Sequence, residues 1–358
     1  MSVPGYNEII TKATRILFSP NSTWENLAIS LQAIHQVCSR ITGIQGAIKK
    51  RSEGYETPLP TGLALSPGHA ADCMLDTRRT VKYIRALDAA VKSLKTRFPD
   101  ETLHILYAGT GPFAPFAIAL SQRYPHSDIQ FTALDIHEAS VTALRQVIRE
   151  LHIADWFRDI VQCDATEYRH SAASPIHIVV TETMHRTVSR EPHVAITLNL
   201  APQLTPGGVL IPEQVTVSAA MSETLRELEF IGGDIGQTDI NHMRTQMGSV
   251  FELTKDTHPD FSEDGQSLEC ATCVVPAISE EQRELVLSTR ITLWGDIAIE
   301  ENESGITAPW FYRNIGPIHT GDILNFRFSL NCPPELTCSK QVNEAEIFSR
   351  LDRITVSG

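Results

Sequence analysis

From residue 103 onward, short apolar runs alternate with segments whose apolar positions recur at three- and four-residue steps. LHILYAG, IQFTALD, IVQCD and HIVVTE read as strands, and FAPFAIALSQRY and ASVTALRQVIREL as helices. Strands separated by helices of this length join in right-handed βαβ units, which build a parallel sheet. Ligands of such a sheet sit beyond the carboxyl ends of its strands. After LTPGGVLIP the helices stop. ELVLSTRITLWGDIAI and ILNFRFSLN are the clearest later strands; in the second, Leu324, Phe326, Phe328 and Leu330 alternate with Asn325, Arg327 and Ser329. A period of two marks a strand with one buried and one wet face.

Ahead of the sheet, TWENLAISLQAIHQVCSRITGIQGAIKK has helical spacing, with Asn21, Ser22 and Thr23 as N-cap candidates. RSEGYETPLPTG reads as a loop because prolines and glycines punctuate it. A second helix is predicted from about Asp76 to Phe98, with Val81, Ile84, Leu87, Val91, Leu94 and Phe98 on one face and Pro99 closing it. The expected division is a helical segment over 1–72, an α/β domain over 73–212 and a mainly antiparallel domain over 213–358, with a more helical insertion at about 222–247.

Composition narrows the function. The chain has 358 residues, 42% of them hydrophobic and 20% charged, which describes a globular protein of one or two cores. No apolar run reaches the roughly 20 residues of a membrane span. The first residues lack a charged head and apolar core of a secretory signal, so a cytoplasmic location is the expectation. A formal charge of −13 opposes non-specific nucleic-acid binding and is compatible with a cationic substrate. The seven cysteines are scattered; only Cys270 and Cys273 have metal-like spacing, in a predicted strand that points them to opposite faces, and no second pair follows. No metal is expected.

Five candidate acids and a glycine turn carry the chemistry. Gly109-Thr110-Gly111-Pro112 sits where the first strand turns toward a helix, letting backbone pass close to a ligand and offering N–H groups at a helix start. GTGPFA also satisfies a dinucleotide pattern, so a nicotinamide enzyme is an alternative. Asp135, ending the second strand, suits either a ribose or the cap of the next helix. Asp164 or Glu167 suits an adenine amine or a solvated loop. In HIVVTETMHRTVSREP, Glu182 ends the fourth strand and Glu191 follows nine residues later. Two such carboxylates can grip a planar guanidinium by paired hydrogen bonds, or they can be one solvated and one helix-start glutamate.

From about residue 73 to the end the chain resembles the protein arginine methyltransferase family. CMLDTRRTVKY is similar to that family's N-terminal helix motif through Met74, Leu75, Asp76, Arg79, Thr80 and Tyr83; LYAGTGPF to its glycine motif; TETMHRTVSRE to its double-glutamate loop; and LTPGGVLIP to the join into its C-terminal barrel. The resemblance implies a Rossmann-like methyltransferase sheet with an N-terminal helical segment and a C-terminal β-barrel-like domain. It implies S-adenosylmethionine as cofactor and a homodimer. Arg79 would pair with the cofactor's carboxylate, Gly109 and Gly111 would pass beneath it, Asp135 would hold the ribose, and Glu167, with Asp164 as rival, would face the adenine. Glu182 and Glu191 would bind the acceptor guanidinium.

The family's Thr-His-Trp triplet is missing; TAPWFYRNIGPIHTGD offers Trp310, Tyr312, Arg313 and His319 in another arrangement. Thr183, His185 and Arg186 replace the aromatic and glycine neighbours of the glutamates. These departures point to a remodelled acceptor pocket, for free arginine or a small guanidino or amine metabolite as readily as a protein-borne arginine. His185 and His319 are candidates for proton relay. A methyltransferase with a non-guanidino acceptor and a catalytically silent scaffold complete the alternatives.

Overall fold

The computed structural model describes residues 5–45, 56–171, 173–224, 226–227, 243–258, 261, 265–312 and 315–341. Helices α1 (Tyr6–Phe18) and α2 (Trp24–Thr42) come first. The Thr23 side chain caps α2 by accepting from the Asn26 N–H, and left-handed Gly43 stops it. Of the stretch RSEGYETPLPTG, read as a loop, residues 51–55 lie outside the described residues, and residues 57–62 enter a small hairpin, β1 (Thr57–Leu59) and β2 (Gly62–Ala64), followed by α3 (Pro67–Cys73). Strands of three residues are too short to show a period, so tertiary contacts fix them. Helix α4 (Thr77–Arg97) matches its predicted span. Asp76 caps it, and Val81, Ile84, Leu87, Val91 and Leu94 are fully buried.

The α/β half follows as β3 (Leu103–Ala108), α5 (Pro115–Ser121), β4 (Ile129–Asp135), α6 (Glu138–Glu150), β5 (Phe157–Gln162), β6 (Ile176–Thr181), α7 (His193–Leu200) and β7 (Leu204–Ile211). Its five strands lie in the order β5-β4-β3-β6-β7, all parallel. This is the Rossmann-like doubly wound order, whose direction of progress reverses between β3 and β6 and leaves a crevice at their carboxyl ends. LTPGGVLIP is therefore the sheet's fifth strand and not merely a connection. The helix leading to it, α7, lacks a polar stripe: His193, Val194, Ile196, Thr197 and Leu200 are all buried. A helix covered on most sides leaves no amphipathic period to read.

The remaining strands are β8 (Gln214–Ser222), β9 (Arg244–Thr254), β10 (Ser267–Val274), β11 (Glu284–Trp294), β12 (Ile297–Ile299), β13 (Trp310–Tyr312), β14 (Ile323–Ser329) and β15 (Glu335–Gln341). They form two antiparallel sheets, β12-β11-β8-β9 with β13 beside β11, and β10-β14-β15. Phe251 of β9 stacks on Phe328 of β14 at 5.0 Å, joining the sheets across a core. The predicted alternation in β14 is present, with Leu324, Phe326 and Phe328 buried and Arg327 exposed. Of the stretch 222–247, residues 224, 226 and 227 are helical and 244–247 belong to β9, whereas 228–242 lie outside the described residues.

Helix α4 ties the halves together. Lys82 and Arg78 pair with Glu303, and Asp76 Oδ2 accepts from Ser304 Oγ at 2.6 Å and from the Gly305 N–H. The start of α4, which carries Arg79, is thereby fixed from both sides. Among the described residues no helix is long and apolar enough to cross a membrane.

Candidate active site

A cleft opens at the carboxyl ends of β3, β4 and β6, roofed by the β1–β2 hairpin and α3. The glycine turn forms its floor. Gly109 and Gly111 have φ of +71° and +60°, conformations that other residues adopt at a cost. A side chain at Gly109 would overlap Thr183 Cγ2, and one at Gly111 would lie 3.2 Å from Ala70 Cβ of α3. The turn's N–H groups are used internally. Gly109 and Thr110 donate to the Leu134 carbonyl at 2.9 and 3.1 Å, and Gly111 donates to Asp135 Oδ2 at 2.8 Å. Helix α5 starts later, on Pro115, which has no N–H. The N–H groups of Gly109, Thr110 and Gly111 are therefore engaged within the protein, and the first N–H groups of α5 belong to Phe116 and Ala117.

Asp135 lines the cleft. Its oxygens accept from the Gly111 and His137 N–H groups at 2.8 and 2.9 Å. His137, not Asp135, is the cap position of α6. Burial raises the Asp135 pKa, and the two backbone donors oppose that. Each carboxylate oxygen has a second lone pair left for a ligand hydroxyl. Asp164 also lines the cleft, holding the Thr166 N–H and hydroxyl at 2.8 Å each. Glu167 is exposed and is not part of the cleft wall, so of the two adenine candidates only Asp164 is at hand.

Glu182 and Glu191 share this cleft. Arg79 reaches across to them: its Nη1 donates to Glu182 Oε1 at 3.1 Å, its Nη2 to the Cys73 carbonyl at 2.6 Å, and its Nε lies 3.9 Å from Asp76. Burial raises the Glu182 pKa and the Arg79 charge pulls it back. Glu191 makes no such ion pair among the described residues, and only the more distant charges of Arg79 and Arg190 oppose its burial. Burial first, and then the charge of Glu182, push its pKa up to about 8. Arg79, expected to face only a cofactor carboxylate, thus contacts one of the two glutamates directly.

The loop between the glutamates is clamped from both halves. Arg190 donates its N–H to the Pro334 carbonyl at 2.8 Å and accepts from the Leu63 N–H at 2.7 Å. Gly62 lies so close that a Cβ there would be 2.7 Å from Pro192 N and 2.9 Å from Glu191 C. Thr187, Val188 and Arg190 have φ of 55°, 57° and 68°. Left-handed non-glycine residues cost on the order of 1–3 kcal/mol each and persist only where surroundings impose them.

Sequence reasoning missed several parts of this wall. Leu59 and Leu63 of the hairpin, Cys73 and Tyr107 all line the cleft. Tyr107 stacks on Phe116, which stacks in turn on Tyr83, at 5.0 and 5.1 Å. Its apolar setting inside LHILYAG gives no functional signal; only position at the strand end could have marked it. The histidine candidates do not enter. His185 faces an outer groove, together with Trp310 and Tyr312, and His319 is paired with Asp322 at 3.7 Å away from the cleft. Arg313 lies outside the described residues.

No protein-family model matches the chain, and no curated protein matches it. Among solved structures, the chain is similar to the Trypanosoma brucei PRMT1 enzyme–prozyme heterotetrameric complex with AdoHcy, at 12% identity and a TM-score of 0.48 over 76% of this chain and 97% of that one. It is also similar to Arabidopsis thaliana protein arginine methyltransferase 10, at 13% identity and a TM-score of 0.44 over 69% and 84%.

Proposed function

We propose that this chain is an S-adenosylmethionine-dependent N-methyltransferase acting on a guanidino group. The observation that carries the reading is the pair Glu182 and Glu191, half-buried in one cleft with Arg79 as the cation within reach. Arg79 balances Glu182, while Glu191, its pKa pushed up to about 8, makes no ion pair among the described residues. Ionising Glu191 in this desolvated place is costly, and a cationic ligand offsets that cost.

The residues fit the cofactor. Asp135 has lone pairs free for a ribose, Asp164 is placed for an exocyclic amine, and Arg79 can take a carboxylate while keeping Glu182 in place. Bound S-adenosylmethionine would supply an electrophilic methyl group on sulfur. A guanidinium is too basic to lose its proton at neutral pH. Two carboxylates instead draw its positive charge onto the nitrogens they hold, which leaves the remaining nitrogen richer in lone-pair density. With the cofactor bound, Glu182 and Glu191 would aim that nitrogen at the methyl group, and the proton it sheds would pass to a glutamate or to water. Orientation of this kind lowers barriers by about 7–11 kcal/mol. In this reading 73–212 holds the cofactor, 213–358 completes the acceptor side and a homodimer, and 1–72 covers the cleft.

Thermal shift tests the cofactor half. S-adenosylhomocysteine is expected to raise Tm and NAD to leave it unchanged; a shift with NAD alone would overturn the reading.

A further inference from the structure

Tyr107 lines the cleft and has no task in the function proposed above. It stands on β3, the central strand, and its register neighbours are Ala133 on β4 and Val180 on β6. Asp135 lies two residues beyond Ala133, and Glu182 two residues beyond Val180. Side chains alternate along a strand, so residues two apart share a face. Tyr107 therefore shares its sheet face with both acids, one strand spacing of about 4.8 Å from each of their strands. All three line the one cleft, which agrees with that placement.

The ring is fixed and the hydroxyl is not. Tyr107 is 3% exposed and stacks on Phe116 at 5.0 Å, and Phe116 stacks on Tyr83 at 5.1 Å. Tyr83 donates its hydroxyl to the Thr181 carbonyl at 3.4 Å. The Tyr107 hydroxyl makes no hydrogen bond among the described residues, yet its oxygen is not one of the polar atoms shut off from solvent without a partner. The oxygen therefore faces the cleft that the residue lines. Hydroxyls of buried residues are nearly always hydrogen-bonded, and one left open to a cleft is paired by what fills it. Burial, and then the charges of Glu182 and Asp135, hold the phenol well above its ordinary pKa, so it stays un-ionised.

In the proposed function, on whose cofactor half this inference rests, Asp135 takes the ribose, Arg79 the carboxylate, and Glu182 faces the acceptor. Arg79 and Glu182 are themselves in contact at 3.1 Å. The three parts of S-adenosylmethionine that these residues face join at one atom, the sulfur, which is bonded to the ribose methylene, the amino-acid chain and the methyl group. We propose that the Tyr107 hydroxyl oxygen faces the cationic methylsulfonium of the cofactor and so favours the charged methyl donor over the neutral S-adenosylhomocysteine left after transfer. The oxygen's lone pairs suit a cation and the polarised hydrogens of its methyl group, and a neutral thioether offers them neither. Being un-ionised, the phenol adds no further charge to a cleft that already holds Asp135, Glu182 and Glu191.

Tyr107→Phe removes the oxygen and keeps the stacked ring. Calorimetry without any acceptor compares three ligands: S-adenosylmethionine, S-adenosylhomocysteine, and sinefungin, which carries an ammonium group where the donor has its methyl. In the variant the Kd of the two cationic ligands is expected to rise by roughly 3- to 10-fold, the range for a weak to charge-assisted hydrogen bond. That of S-adenosylhomocysteine should rise by less than about 2-fold, since a thioether makes neither contact. Tyr107→Met fills the place with a flexible apolar chain and should shift the donor-to-product ratio the same way, which keeps the test open if the phenylalanine variant fails to fold. Equal weakening of all three ligands would make Tyr107 a packing residue and overturn the inference, as would three unchanged affinities. Failure of all three to bind the unaltered protein would overturn the cofactor reading itself.

Discussion

The two sides of the loop from Glu182 to Glu191 differ in sign, burial and support. The inner side presents two acids to a closed cleft, where Arg79, the hairpin and α3 press on them. The outer side presents His185, Arg186 and Arg190 to an open groove with one acid, Glu335. Ten residues thus sort opposite charges to opposite faces, and three left-handed residues in the middle make the sorting possible. A regular helix or strand would have spread those side chains by its period. The contrast is one of charge: the inner side gathers acids beside Arg79, and the outer side gathers basic residues, of which Arg190 meets Glu56.

The largest expected effect strikes the inner side. Glu182→Gln and Glu191→Gln keep the shape of each side chain and remove its charge. Losing one member of a desolvated ion pair costs about 3–5 kcal/mol, a hundredfold or more in rate. Each variant should therefore lose turnover nearly completely while S-adenosylhomocysteine still raises Tm. The double variant should be little worse than either single one, since groups that act as a unit are not additive. Turnover of Glu191→Gln within tenfold of the unaltered protein would make the inner side no more decisive than the outer.

A smaller effect should follow from loosening the clamp. In Gly62→Ala the added methyl would meet backbone at Pro192 and Glu191, atoms that cannot swing aside as a side-chain end can. The hairpin must then lift, straining the Leu63 N–H bond to the Arg190 carbonyl. Overpacking of this kind costs about 1–3 kcal/mol. The expected outcome is a lower Tm and a raised KM for the acceptor, with S-adenosylhomocysteine affinity kept because the glycine turn and Asp135 are untouched. An unchanged KM would show that the hairpin only covers the loop and does not position it.

How much of this was legible beforehand follows the range of the contacts. The parallel order of β3 to β6 and the extent of α4 are written in local periodicity, and Asp76 announces itself as a cap by standing just before the apolar stripe. Glu182 and Glu191 could be singled out because one ends a strand and the other follows a short loop. The pairing of Arg79 with Glu182 joins residues 103 apart and leaves no mark in any period. The seat of Gly62 against Pro192 is of the same kind. The choice of Asp164 over Glu167 depended on which way a three-residue turn pointed. The turn is set by the Asp164 side chain accepting from the Thr166 N–H and hydroxyl.

The smallest effect concerns pH, and it separates the inner acid from the protein's buried imidazoles. His104 and His193 are driven by burial from an ordinary 6.5 down to about 3. The unfolded chain binds more protons at these two sites between pH 3 and 6.5, so their contribution to stability is complete above 6.5 and is lost as the pH falls through that window. Glu191 works in the opposite sense. Its pKa rises from 4.5 to about 8 on folding, so the folded chain binds more protons and stability declines as the pH rises between those values. The unfolded histidines are still half protonated at 6.5 and drop out only above about pH 7.5, so Glu191→Gln should flatten the decline in Tm seen from there toward pH 8. A cationic acceptor reverses the situation by favouring ionised Glu191. Acceptor binding should therefore tighten as the pH rises toward 8 and release about one proton at neutral pH. Calorimetry in buffers of different ionisation enthalpy reads that proton directly. It should vanish in Glu191→Gln and persist in Arg186→Gln, whose side chain faces the other side of the loop. Equal proton release from both variants would mean that the titrating group lies elsewhere and that the two sides are not electrostatically distinct.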